Sequence, residues 1–393
     1  MMKEAVIVAC GRSPIGKAPR GALKFTRPDD YAAQVLRGTL AQVSNLDPEL
    51  IDDFILGCAF PEAEQGINVA KTVAFRAGLP MSVPAQTVNR FCASGLQSIA
   101  SAANAIMCGM ADIVVAGGME SMSMVPMGGN NPAYNPYLME NLPAAFISMG
   151  LTAENVAEKY GISREEQDAF SVASHMKAAK AQAEGKFISQ IIPIDAVKPA
   201  TDENGRPVSK TVIFDKDEGI RKDTSMEGLA RLRPVFKMGG SVTAGNSSQT
   251  SDAAAMVVLM SREKADELGI KPLARFVSYA AAGVDPALMG IGPIKAIPKA
   301  LRLADKILGD INLIELNEAF ASQSLACISE LSLNKEIINV NGGAIALGHP
   351  LGCTGSFLVT KLIHEMSLRG DKYGVVSMCI GGGMGAASVI EML

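Results

Sequence analysis

The chain has 393 residues, of which 48% are hydrophobic and 19% are charged, and its formal net charge is -4. A chain of this length usually forms more than one hydrophobic core, and its slightly acidic balance argues against a nucleic-acid-binding protein. The seven cysteines show no C-x-x-C spacing and no secretory signal precedes them. This usage favours free thiols in a protein located in the cytoplasm.

Short apolar runs alternate with helix-like segments along the chain. The first run, residues 5–9, is soon interrupted by Gly11, Arg12 and Pro14, so it predicts a buried strand rather than a signal peptide or a membrane span. Further strands are predicted at residues 54–57, 113–116, 255–260, 274–280, 313–316 and 373–380. Because these runs are continuously apolar, they indicate an α/β fold with largely parallel sheets covered on both faces by helices.

Three similarities recur in the same order in the two ends of the chain. IDDFILGCAF at 51–60 resembles INLIELNEAF at 311–320, and a Val-Asn pair at 88–89 recurs at 340–341. ADIVVAGG at 111–118 likewise resembles GVVSMCIGG at 374–382. The order predicts two related halves, although buried strand–glycine–helix units can also resemble one another by composition.

Residues 119–250 differ from these halves in character. They include a polar, proline-bearing stretch at 126–143 and a capping-box pattern of Ser163 with Glu166. A loop-rich insertion of this kind is a natural place for substrate contacts.

Cys92 is the first residue with the pattern of a catalytic group. A short strand ends near Val88, and small residues at helical spacing follow the cysteine. The pattern places the sulfur near a helix N-terminus, where the helix dipole favours the thiolate. The alternative is a buried structural cysteine, because cysteine is among the most buried residue types.

His349 is the second candidate, in a glycine-rich loop that precedes a helical run. A loop histidine can serve as an acid or base near neutral pH. The chain has only three histidines. The other two, His175 and His364, lie in helical runs with charged neighbours, and solvated helix faces explain them.

Cys379 lies at the end of a predicted strand, and Asn317 follows another. Cys379 leads into a glycine-rich segment whose backbone N–H groups can stabilise a developing negative charge. The rival is a dinucleotide loop, but the glycines do not follow the G-x-G-x-x-G spacing. Asn317 can donate a hydrogen bond or hold a water at its strand end, and its alternative is an ordinary turn.

Taken together, these stretches resemble the thiolase family. The motifs are NRFCASG at 89–95, SVTAGNSSQTSDAAA at 241–255, NEAFA at 317–321, GGAIALGHPLGCTG at 342–355 and CIGGGMG at 379–385. The resemblance implies an α/β thiolase-like fold, with two related halves of mixed sheets in a five-layered α-β-α-β-α core and an inserted loop domain. We expect the first half at 1–118 plus 251–270, the loop domain at 119–250 and the second half at 271–393.

The resemblance also implies the role of each site residue. Cys92 would be the nucleophile that takes up the acyl group, and His349 would accept its proton. Cys379 would be the second acid/base. His349 and a water held by Asn317 would form one oxyanion pocket, and the backbone N–H groups of Cys92 and Gly381 would form the other.

Further residues match positions that contact coenzyme A in the family. Ser248 and Ala244 would line the pantetheine tunnel, and Arg221 would lie near the nucleotide. Three apolar walls are expected: Phe236, Phe320 and Met149. Coenzyme A is thus expected as a substrate, with no permanently bound cofactor, no metal and no membrane partner, in a homodimer or homotetramer.

Ser148-Met149-Gly150 resembles the degradative 3-ketoacyl-CoA thiolases of fatty-acid β-oxidation, because short-chain members tend to carry histidine before the Met-Gly. The alternative is a short-chain acetyl-CoA C-acetyltransferase. Three more distant rivals are another condensing enzyme of the same fold, a non-catalytic acyl-CoA-binding protein and a nicotinamide-dependent dehydrogenase. The second cysteine in CIGGGMG disfavours the first, and the missing dinucleotide motif disfavours the last.

Overall fold

The computed structural model describes residues 3–393. Its strands in chain order are β1 (Ala5–Arg12), β2 (Gly16–Lys17), β3 (Asp53–Gly57), β4 (Ala85–Val88), β5 (Ile113–Ser121), β6 (Ile194–Thr201), β7 (Pro207–Phe214), β8 (Ser251–Ser261), β9 (Ala274–Gly283), β10 (Leu313–Leu316), β11 (Tyr373–Ile380) and β12 (Met384–Met392). Its helices are α1 (Pro28–Leu40), α2 (Val69–Ala77), α3 (Ser94–Met107), α4 (Pro136–Asn141), α5 (Met149–Tyr160), α6 (Arg164–Ala183), α7 (Met226–Ala230), α8 (Arg262–Glu267), α9 (Gly292–Leu303), α10 (Ala321–Glu330), α11 (Ala344–Leu347) and α12 (Leu351–Arg369).

The strands of both halves join in one mixed sheet with the order β10-β11-β12-β9-β1-β8-β5-β3-β4. Only the outer pairs β3–β4, β3–β5 and β10–β11 are parallel within residues 3–393. The long central strands β1, β8, β9 and β12 pair antiparallel. The prediction of largely parallel sheets is therefore wrong, because a buried antiparallel strand has the same apolar run as a buried parallel one.

The strand order repeats in mirror image about the junction of β1 and β9. On one side the order is β1-β8-β5-β3, and on the other it is β9-β12-β11-β10. The junction itself consists of two residue pairs, Val6 with Arg275 and Ile7 with Ala274. This repeat agrees with the two related halves predicted from the sequence.

Three buried clusters fill the space between the helices and the two halves of this sheet. The inner cluster contains residues of α3 and α12 together with one face of the strands of both halves. The first outer cluster joins α1 and α2 to the other face of the first half, and the second joins α9 and α10 to the second half. Along β8, for example, Val257 faces inward and Val258 faces outward, as strand alternation requires. The resulting α-β-α-β-α order confirms the predicted fold class.

The segment between β5 and β8 holds α4 to α7 and the β6–β7 hairpin, and α6 begins at the predicted capping box of Ser163 and Glu166. A buried ion pair ties this segment to the first half. Both terminal nitrogens of Arg12 donate to the Asp217 carboxylate, at 2.8 and 2.9 Å. None of the helices within residues 3–393 is long and apolar enough to cross a membrane.

Candidate active site

The site forms where the first turns of α3 and α12 cross. A Cβ atom on Gly95 would lie 2.8 Å from the carbonyl oxygen of Gly352, and one on Gly355 would collide with the backbone nitrogen of Leu96. Only glycine allows the helices to approach this closely. Cys92 stands two residues before α3 and His349 two residues before α12, so the crossing brings them together.

A cavity of about 160 Å³ lies at this crossing. Its wall is mainly apolar and includes both candidate cysteines and the candidate histidine. The lining residues are Cys92, Met122, Met127, Met149, Phe236, Ser247, Ser248, Gln249, Thr250, Met289, Ala319, Phe320, His349, Leu351 and Cys379. Residues from both halves and from the segment between them therefore meet in one small space.

Cys92 lies in the short turn Phe91–Ala93 that precedes α3. Burial raises the pKa of its thiol to about 11, although hydrogen bonds from the backbone N–H groups of Gly381 and of Cys92 itself act in the opposite direction. These N–H groups favour the thiolate, as the helix N-terminus was expected to do, but burial raises the pKa by more than they lower it. A base is needed to remove the proton, and two N–H groups already converge on the sulfur.

His349 is buried and neutral near pH 7. Burial lowers its pKa to about 4, so the imidazole can accept a proton from a neighbouring acid. Its Nδ1 lies 2.6 Å from the hydroxyl oxygen of Thr354. The amide nitrogen of Asn317 lies 3.5 Å from Nδ1 and 3.4 Å from Nε2. Asn317 and His349 therefore lie next to each other in the site.

Cys379 ends β11 in the wall of the same cavity. Its pKa is raised well above the ordinary value, first by burial and then by the charge of Cys92. Since a thiolate at either position disfavours a second one nearby, the two sulfurs are suited to alternate in charge. Positions 92, 349 and 379 therefore converge on one cavity.

The predicted coenzyme A contacts divide into two groups. Ser248, Met149 and two phenylalanines line the cavity, and the rings of Phe236 and Phe320 meet edge to face with centroids 6.2 Å apart. Ala244 and Arg221 are exposed and lie outside the lining drawn from residues 3–393.

The histidine at position 175 was expected on a solvated helix face, and this expectation is wrong. His175 is buried, and its Nδ1 accepts the backbone N–H of Arg221 at 3.1 Å. Burial is also the main cause that lowers the pKa of His175 to about 4. His175 lies on the buried face of α6 together with Ser171, Ser174 and Ala178, which a charge pattern along the sequence does not indicate.

Sequence reasoning missed several residues that shape the site. Thr354 lies inside the recognised GHPLGCTG stretch, and its spacing of five from His349 was the available signal. Three methionines of the wall gave no signal beyond a high methionine content: Met122, Met127 and Met289.

Within residues 3–393, no group of three or more His, Cys, Asp or Glu side chains could hold a metal ion.

Comparison with family models identifies both parts of the chain. Residues 5–263 match the thiolase N-terminal domain and residues 270–392 match the thiolase C-terminal domain. The chain belongs to the thiolase family. This membership confirms the resemblance seen in the motifs and excludes the dehydrogenase and the other condensing enzymes considered above.

Similar proteins support the same membership along the full chain. A 3-ketoacyl-CoA thiolase of Bacillus subtilis is 57% identical and covers 100% of both chains. The peroxisomal 3-ketoacyl-CoA thiolase B of Mus musculus is 48% identical, over 99% of this chain and 91% of the mouse protein. The crystal structure of the Bacillus anthracis acetyl-CoA acetyltransferase is 44% identical, with a TM-score of 0.89, and the match covers 100% of this chain and 99% of that one.

Proposed function

We propose that this thiolase cleaves 3-ketoacyl-CoA with coenzyme A to give acyl-CoA and acetyl-CoA, and catalyses the reverse condensation. The reaction would proceed by a ping-pong mechanism through an acyl group on Cys92. The observation that carries the proposal is the meeting of two thiols and one neutral imidazole in a single apolar cavity.

In the first half-reaction, neutral His349 accepts the proton of Cys92, and the thiolate attacks the 3-keto carbon. The backbone N–H groups of Cys92 and Gly381, which hydrogen-bond the sulfur at rest, would then stabilise the oxyanion. As the bond between C2 and C3 breaks, C2 takes a proton from Cys379. Acetyl-CoA leaves, and the acyl group stays on the sulfur of Cys92.

In the second half-reaction, the Cys379 thiolate accepts the thiol proton of the incoming coenzyme A. The new CoA thiolate attacks the acyl carbon, and the Cys92 sulfur leaves and regains its proton from His349. In the reverse direction, Cys379 abstracts the α proton of acetyl-CoA. The enolate oxygen would then be stabilised by hydrogen bonds from His349 and from a water held by Asn317, whose buried Oδ1 is free to accept from that water because it has no hydrogen-bond partner among the residues described.

The degradative type with several acyl lengths is favoured over a four-carbon specialist. Four methionines line the cavity, and their flexible side chains adapt to acyl groups of different shape. Two of the similar proteins given above carry the name 3-ketoacyl-CoA thiolase, whereas the similar solved structure is an acetyl-CoA acetyltransferase.

The test measures kcat/KM for thiolysis of 3-ketoacyl-CoA substrates from four to about ten carbons. One methylene changes kcat/KM in an apolar pocket by about 10- to 200-fold, so a chain-length preference would be visible in this series. We expect activity across the series. A sharp optimum at four carbons would favour the acetyltransferase. A folded sample that does not consume acetoacetyl-CoA and coenzyme A would instead favour a non-catalytic acyl-CoA-binding protein.

The same proposal includes a cytoplasmic location, a homodimer or homotetramer, and the domain limits 1–118 plus 251–270, 119–250 and 271–393. It also includes contact of Ala244 and Arg221 with the outer part of coenzyme A. Mass measurement in solution and limited proteolysis test the assembly and the limits, and Arg221→Ala tests the nucleotide contact through KM for coenzyme A.

A further inference from the structure

We propose that Glu318 and Gln249 are positioning residues that clamp helix α11 at its two ends and so set His349 against Asn317 and Cys92. The inference rests on the proposed function, in which His349 serves as the base. Helix α11 is a single turn, Ala344–Leu347, and His349 follows it by two residues. The position of this turn therefore fixes the position of the imidazole.

Glu318 holds the N-terminal end of the turn. Its buried carboxylate accepts hydrogen bonds from the hydroxyl of Ser174 at 2.6 Å, the amide of Asn339 at 2.8 Å and the backbone N–H of Ile345 at 3.3 Å. A Cβ atom on Gly343 would collide with this carboxylate, so the chain passes directly against it. The carboxylate thus joins strand β10, helix α6 and helix α11 at one point.

Gln249 holds the C-terminal end. Its amide nitrogen donates to the carbonyl oxygens of Ile345 at 3.1 Å and Ala346 at 3.2 Å, and also to that of Gly219 at 2.8 Å. The main-chain carbonyl oxygen of Gln249 accepts a hydrogen bond from the backbone N–H of His349 at 3.0 Å. Side chain and main chain of one residue therefore fix both the end of α11 and the histidine.

The side-chain amide of Gln249 forms its hydrogen bonds through the nitrogen only. Its Oε1 is buried and has no hydrogen-bond partner among residues 3–393. An apolar side chain of similar size would remove this unpaired acceptor, but it would also leave three carbonyl oxygens without their donor. Two of these carbonyls belong to α11, so the contribution of Gln249 lies in holding that turn.

Each clamp residue is also the direct neighbour of a proposed site residue. Glu318 follows Asn317, and Gln249 follows Ser248. Hence a shift of α11 relative to either clamp changes the distance of His349 from Asn317 or from the substrate channel. A displacement of about 1 Å in a site of this kind can lower the rate about 100-fold.

The experiment compares Glu318→Gln and Gln249→Leu with the wild-type protein and with a matched control, Glu365→Gln. Glu365 is likewise a buried carboxylate, but it accepts from Asn341 and Lys186. We expect kcat for thiolysis to fall about 10- to 100-fold in each clamp variant, and the rate of Cys92 alkylation by iodoacetamide at pH 7 to fall in parallel. The control should lose thermal stability without these losses.

Wild-type kcat in both clamp variants, or an equal fall in Glu365→Gln, would overturn the inference. If Glu318→Gln does not fold, Ser174→Ala removes one bond to the same carboxylate and must reduce kcat and the alkylation rate together. The alkylation rate does not depend on thiolysis. A wild-type protein without thiolysis would therefore contradict the proposed function, whereas an unchanged alkylation rate in the variants contradicts the clamp.

Discussion

Nδ1 of His349 lies 2.6 Å from the hydroxyl of Thr354, one turn into the helix that begins after the histidine. A hydroxyl can both donate and accept, so it can hold the ring in either neutral tautomer. The contact leaves Nε2 as the ring nitrogen for chemistry.

Removal of this hydroxyl should therefore impair the base without changing the shape of the helix. We expect Thr354→Val to lower kcat for thiolysis about 10- to 100-fold, because the imidazole loses its orienting partner. Thr354→Ser retains a hydroxyl and should stay near the wild-type rate. Steady-state thiolysis of acetoacetyl-CoA measures both, and a valine variant at full rate would contradict the role.

Cys379 should be needed for condensation more than for acylation. In Cys379→Ser we expect condensation of acetyl-CoA to fall about 100- to 10,000-fold, the range typical of a lost acid or base. Transfer of an acetyl group from acetyl-CoA to Cys92 should persist in part, as measured by the mass of the peptide that contains Cys92.

The control for this variant is Cys327→Ser, at another buried cysteine whose sulfur contacts the carbonyl oxygen of Gly290. It should condense at a rate near that of the wild type. Wild-type condensation in Cys379→Ser would show that another group is the acid/base.

The pH dependence of Cys92 alkylation should reveal the cost of burying this thiol. Since its pKa is raised to about 11, the thiol is protonated at neutral pH, and the thiolate fraction increases steadily as the pH approaches that value. In His349→Asn, which lacks the base, the alkylation rate should keep rising beyond pH 9. The wild-type protein should react faster at pH 7, because imidazole with a pKa near 4 is available as a base there. A plateau below pH 8 in the variant would contradict a raised pKa.

The ion pair between Arg12 and Asp217 should be important for stability. Both side chains are almost fully buried, and Arg12 also lies 5.0 Å from the centroid of the Phe357 ring. In Asp217→Asn the guanidinium loses its buried counter-charge, so we expect the free energy of unfolding to fall by about 3–5 kcal/mol. Denaturant unfolding measures it. The control is Glu158→Gln, at an exposed pair with Lys237, which should leave the free energy of unfolding unchanged. An equally small effect in Asp217→Asn would contradict the prediction.

Local sequence patterns predicted the positions of most strands but not their directions. The apolar run at β8 predicted a buried strand, yet its antiparallel pairing with β5 and β1 depends on a long intervening segment. The last strand, Met384–Met392, was not predicted, because the glycine-rich segment before it was interpreted only as a loop of the site.

The site shows the same division between local and distant causes. Motifs predicted that Cys92, His349 and Cys379 belong together, and the cavity contains all three. They could not predict the pKa of Cys92, because the groups that bury it come from distant parts of the chain. The buried position of His175 and the contact with Thr354 likewise depend on packing between helices.

The mirror-image strand order has one further consequence. Cys92 and His349 hold equivalent places in the two halves, each two residues ahead of a central helix. Their cavity therefore lies on the approximate twofold axis of the chain, where a second copy of the site would coincide with the first. Because each half supplies only one member of the pair, neither half expressed alone would retain both the sulfur nucleophile and the imidazole base.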